Sequence, residues 1–257
     1  MKRYLFFRLR QELQSKFSAK IFFNSRILFF IVVILIFYKL WSNMLPHGAE
    51  RQIHLVWYYI VIESILVAQS GLASLFDASF IQGNFAYNIV RPVSYRDVIL
   101  INEMTTSLAN YLLNLMVGLL LGIILTRQIP FLHFNYIIIF LMGGIGVALD
   151  TAIRIIIKLL SFWLKKPFIM ILAYQKMSFV LGGIFFPLSY YPDWLKMVSN
   201  LLPFKLIFYF PANAFYYGKI FDWGIYLLEL GFWCIIIGVT IRLLYARGLR
   251  KISIEGI

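Results

Sequence analysis

Six apolar runs recur along this sequence, at about 21–40, 55–75, 98–125, 134–157, 168–186 and 223–245. At about 1.5 Å of rise per residue, roughly 20 helical residues cross a hydrocarbon core of about 30 Å. A backbone at that depth must satisfy its own hydrogen bonds, so each run is expected to be a helix. The expected fold is an all-α membrane protein with six transmembrane helices in a single transmembrane domain over 1–257. The composition agrees: 61% of residues are hydrophobic and 14% charged, against roughly 25% charged in soluble domains.

The formal charge of +13 raises the question of a polyanionic partner such as nucleic acid. Position answers it, because the lysines and arginines lie beside the spans. With the N-terminus inside, most of the 24 fall on inner segments, which is the positive-inside bias. Both termini are therefore expected to be cytoplasmic, with membrane lipids as partners and no nucleic acid. Residues 1–20 place Leu9, Leu13 and Phe17 four apart among Lys2, Arg3, Arg8, Arg10, Lys16 and Lys20. That pattern fits an interfacial helix, with a solvated basic tail as the alternative. Cys234 is the single cysteine, which excludes an intramolecular disulfide and a cysteine-based metal cluster. No small-residue cleavage site follows the first apolar run, so no cleavable signal peptide is expected.

Charges inside the spans are costly, at about 2.5–3.5 kcal/mol at a helix centre on insertion scales. Glu63 in the second run and Lys176 in the fifth are the ionisable residues nearest mid-membrane. They are expected to face protein, water or each other, lining a translocation path or forming a structural pair, with snorkelling of Lys176 as a further alternative. Asp150 and Arg154, one helical turn apart, can neutralise each other, and Glu229 is expected to reach a neighbour or an interface. The third run is long enough that Asn102 and Glu103 can project beyond the membrane. Its Gly118 and Gly122 form a small-xxx-small pair that permits close helix approach.

The stretch 76–97, FDASFIQGNFAYNIVRPVSYRD, is the least lipid-like passage between two apolar runs. Phe76, Phe80 and Ile81 fall on one side of a short helix and Asp77, Ser79 and Gln82 on the other. Gly83 weakens that helix and Arg91-Pro92 ends it. From the residues alone, an interfacial loop is the alternative. The string Ile81, Gly83 and Val90-Arg91-Pro92-Val93 resembles the segment between the second and third spans of bacterial type-2 ATP-binding-cassette (ABC) permeases. The resemblance implies a cytoplasmic coupling helix that docks on a separate ATPase subunit, with Phe80, Ile81, Gly83, Asn84, Arg91 and Pro92 as contact residues. Where that family often has acidic residues soon after the glycine, this chain has Asn84 and Ala86.

Half of the eight prolines, Pro187, Pro192, Pro203 and Pro211, fall within 187–222. Each removes a backbone donor and clashes with the preceding turn, so an uninterrupted helix is excluded. Two half-helices, roughly 193–202 and 204–210, are expected to dip into the outer leaflet, with an aromatic interfacial belt as the alternative. Phe186-Pro187-Leu188, Pro192, Trp194-Leu195, Pro203-Phe204, Pro211-Ala212 and Gly218 are similar in order and spacing to the same permeases. That likeness implies paired outer helices capping the path, with Pro187, Pro192, Trp194, Pro203, Phe204 and Pro211 as outer-gate residues.

Catalytic signatures are missing. No GxxxxGK[ST] string is present to cradle nucleotide phosphates, and His47, His54 and His133 lack metal-ligand spacing. A GxSxG elbow is absent as well. With the resemblance to type-2 ABC permeases, which implies it, the expected function is the non-enzymatic permease subunit of an ATP-driven exporter in a bacterial cytoplasmic membrane. It would hold no cofactor itself, while ATP and Mg bind the partner ATPase. A second permease subunit, identical or paralogous, would complete the path, and the cargo would be amphiphilic: a lipid, peptide or drug. An ion-driven secondary carrier is the main alternative, although no inverted repeat with broken midplane helices is found. A membrane enzyme using Glu63 or Asp150 lacks clustered partner residues.

Overall fold

The computed structural model describes residues 25–44, 50–69, 95–127, 135–164, 168–217 and 223–254. Every regular element among them is helical: α1 Ser25–Met44, α2 Glu50–Leu66, α3 Tyr95–Thr126, α4 Asn135–Leu159, α5 Phe168–Leu181, α6 Asp193–Leu201, α7 Phe210–Tyr217 and α8 Trp223–Ile254. Short 3-10 turns at Leu160–Phe162 and Leu188–Tyr190 and a π-helical turn at Lys205–Tyr209 complete the path. The interfacial helix expected over 1–20 and the coupling segment expected over 76–97 lie outside the described residues.

The architecture is built on α2. Residues 54–65 are all buried, because α1, α3, α4 and α7 pack around the helix. Two glycines set its register against α3. A Cβ on Gly118 would lie 2.6 Å from the Ile60 side chain, and one on Gly122 would run into the Trp57 ring. Farther along, Asn110 Nδ2 donates to the Ala68 carbonyl at 3.0 Å. As α2 numbers rise, α3 numbers fall, so the pair is antiparallel. The expected small-xxx-small pair is thus the seam at which α3 meets the central helix.

Among the described residues, four helices are long and apolar enough to cross a membrane: Ser25–Met44, Ile99–Thr126, Phe140–Leu159 and Trp223–Lys251. The second and fifth apolar runs give shorter helices than their sequences suggest. The helix of α2 stops at Leu66, short of residue 75, and turns through Val67 and Ala68, whose amides bond to the Glu63 and Ile65 carbonyls. Asn110 then takes up the Ala68 carbonyl, a side-chain partner at a helix end. At the end of α5, Gly183 adopts φ +75, a left-handed conformation suited to glycine. The chain leaves the helix at that point, well before residue 186.

The outermost helix is α8. Ile225, Leu228, Phe232, Ile235 and Leu243 are exposed, and Cβ atoms on Gly231 and Gly238 would meet nothing within 4 Å. Its inner stripe, Tyr226, Ile237 and Ile241, is buried, and at its far end Gly248 lies against the Phe162 ring and Lys251 Nζ donates to the Phe162 carbonyl at 3.2 Å.

Candidate translocation path and outer hairpin

Residues 182–217 fold back against the bundle as a helical hairpin, and its prolines show how. Pro187, Pro192 and Pro203 each precede a helical turn and offer their carbonyls to its first amides. Tyr190 N bonds to Pro187 O, Leu195 and Lys196 N to Pro192 O, and Leu206 and Ile207 N to Pro203 O. Proline suits such positions because the amides there have no partner in a preceding turn. Pro211 behaves differently from the sequence-based expectation. The expected break at residue 210 is absent, and the helix runs through Pro211 to Tyr217.

A π-helical turn over Lys205–Tyr209 makes this continuity possible. Proline at 211 leaves the Ile207 carbonyl without its usual helical donor. That carbonyl faces Gly146 of α4, where an added Cβ would lie 2.5 Å from the Ile207 oxygen. Glycine therefore opens the space into which a proline-distorted helix fits. Gly146 lies eleven residues into the 25-residue α4, roughly 16 Å along it. The hairpin consequently meets α4 near the middle of its length.

Its tip goes farther still. Phe204 is buried with Ile157, Ile171 and Tyr174, its ring 5.6 Å from that of Tyr174. The Tyr174 hydroxyl donates to Asp150 Oδ1 at 2.6 Å, and Arg154 Nε bonds Asp150 Oδ2 at 2.9 Å. The Arg154 guanidinium also lies over the Tyr174 ring at 5.2 Å. Below this cluster Lys158 pairs with Glu103 of α3 at 2.5 Å. The Asp150–Arg154 pair matches the i,i+4 expectation. Tyr174, 24 residues away in sequence, carried no periodic signal of its part.

Two tyrosines of α2 hold the other side of the hairpin. Tyr58 Oη donates to the Gly183 carbonyl at 2.8 Å, and Tyr59 Oη to that of Phe185 at 2.6 Å. The Tyr59 ring stacks on Phe37 at 4.1 Å, and Trp41 meets Phe186 edge-on at 6.2 Å. On the ascending limb, Lys205 Nζ bonds Glu229 Oε1 of α8 at 2.7 Å and lies 5.5 Å from the Phe210 ring. No local spacing singles out Lys205 or either tyrosine, because aromatic residues are common throughout a membrane protein.

Of the expected outer-gate residues, Pro187, Pro203, Phe204 and Pro211 are buried, whereas Pro192 and Trp194 are exposed. Trp194, Met197, Val198 and Leu201 form one exposed stripe along α6, while Ser199 is fully buried on the opposite face. Glu63 and Lys176 stand in different environments. Glu63 is 3% exposed inside the bundle, and its carboxyl has no hydrogen-bond or ion-pair partner among the described residues. Lys176 stands on the exposed face of α5, so the two are not an ion pair. Phe80, Ile81, Gly83, Asn84, Arg91 and Pro92 lie outside the described residues.

The model of the ABC-2 family transporter proteins matches residues 25–256. The chain belongs to this family. As an ABC-2 protein it is a membrane-embedded, multi-pass transport component and not itself catalytic. ABC-2 permeases normally work with an ATP-binding-cassette ATPase. No curated protein matches the chain closely enough to add a particular cargo.

Proposed function

We propose that this ABC-2 protein is the permease subunit of an ATP-driven exporter, a path-forming partner to separate ATPase subunits in a bacterial cytoplasmic membrane. The family match over residues 25–256 carries this reading. Six crossings, α1 to α5 and α8, would leave both termini cytoplasmic, consistent with the basic inner segments. The segment 76–97 would then be the coupling helix, and ATP with Mg would bind only the partner. Two permease copies or paralogues would face each other across the path. Closure of the ATPases would move the coupling helices and switch access to an amphiphilic cargo.

The hairpin suits an outer gate. It is tied to α2 by two hydroxyl-to-carbonyl bonds, to α8 by one ion pair, and to the Asp150 cluster through Phe204. Movement at the inner cluster therefore has a packed route to the gate. Affinity isolation of the tagged full-length chain from its native membrane tests the reading. The expected result is recovery of a Walker-A ATPase and ATP-dependent transport. Recovery of no ATPase, with transport driven by an ion gradient, would overturn it.

A further inference from the structure

The exposed face of α5 has a charge at its centre. Ile169, Leu172, Met177 and Val180 make it apolar, and Lys176 stands among them. Lys176 has no ion-pair or hydrogen-bond partner among the described residues. Its height follows from its own helix. Tyr174, two residues earlier, bonds Asp150, which lies fifteen residues into α4. Lys176 is therefore roughly 20 Å from the outer end of α4 and about 10 Å short of the far side of a hydrocarbon core. A lysine stem does not bridge that gap by snorkelling. Facing lipid tails there would be unfavourable.

A second copy of the chain offers no remedy at this depth. Glu63 is enclosed, Asp150 is held by Arg154 and Tyr174, Glu229 by Lys205, and Glu103 by Lys158. Every described carboxylate at or near this height is enclosed or engaged. We infer that Lys176 and the apolar face around it bind the cargo, and that the cargo is an anionic amphiphile. Its phosphate, sulfate or carboxylate group pairs with the ammonium, and its alkyl portion lies on Leu172, Met177 and Val180. This rests on the permease reading and narrows it to a substrate class.

The full-length chain in phosphatidylcholine nanodiscs, titrated with radiolabelled dodecyl phosphate against empty discs, provides the test. Lys176→Met is expected to weaken binding about tenfold or more, and Lys176→Arg to stay within about threefold of the parent. Neutral dodecyl maltoside should bind all three alike. Because Lys176 is exposed, unchanged elution and thermal unfolding are expected for both variants. Discs containing phosphatidic acid distinguish the source: competition identifies a lipid headgroup, and its absence a free amphiphile. Equal dodecyl phosphate binding by Lys176→Met and the parent overturns the inference, as does a loss that Lys176→Arg fails to rescue. The assay contains no ATPase, so its failure leaves the permease reading standing, and failure to recover an ATPase leaves the binding result standing.

Discussion

Helices α2 and α8 invert what their sequences advertise. The long, continuously apolar α8 is the least buried of the four membrane-length helices, whereas the shorter α2, carrying Gln52, His54, Glu63 and Ser64, is buried on every side. In water the apolar helix would be the core. In a membrane the solvent is itself apolar, so lipid-facing residues need only be greasy, while buried polar groups are tolerated where protein surrounds them. Hydropathy therefore finds the outside of this molecule, and small residues and hydrogen bonds mark its inside.

Substitutions that treat the two helices alike should break this contrast if it is wrong. The largest effect is expected from bulk in the interior: Gly146→Leu drives a side chain into the Ile207 carbonyl, and Gly143→Leu into the Tyr111 hydroxyl. Overpacking of this kind costs about 1–3 kcal/mol or more. A clear fall in the thermal unfolding temperature of the purified protein is the readout. Next comes the tie between hairpin and α8. Glu229→Leu leaves Lys205 buried without its carboxylate, and a loss of about 1–3 kcal/mol is expected, less than for a fully enclosed pair because Glu229 is part-exposed. Lys205→Met with Glu229→Leu should recover much of it in a double-mutant cycle.

A smaller loss, about 1 kcal/mol, is expected for Tyr58→Phe, which removes the hydroxyl donated to Gly183 while keeping the ring. Faster cleavage at 183–190 by an added protease is the sharper readout, since that turn loses one anchor. The smallest effect belongs to the outer helix: Gly231→Leu and Gly238→Leu point into open space and should leave unfolding within about 0.5 kcal/mol of the parent. Equal damage from Gly238→Leu and Gly146→Leu would mean that α8 is packed on that face.

The same contrast explains what could be read from the chain alone. The helical class, the lipid-facing runs, the Gly118 and Gly122 seam and the Asp150–Arg154 pair all follow from local spacing. The early ends of α2 and α5 do not, because Asn110 and the Gly183 turn act across the fold or against a continuing apolar run. The passage of a helix through Pro211 was illegible for a related reason: it needs a glycine at 146, 65 positions away. Lys205 and Glu229 are 24 apart, beyond any helical periodicity. Long-range pairs of this sort carry the hairpin, so its depth was the least accessible feature.

The most direct test concerns orientation and coupling together. In a Cys234→Ser background, Asn84→Cys is probed with a membrane-impermeant maleimide on sealed vesicles of either sidedness. The expected result is labelling only where the cytoplasmic face is accessible, with protection once the ATPase is bound. Labelling of Asn84→Cys from the external face would contradict the assignment of this chain as a permease driven from within.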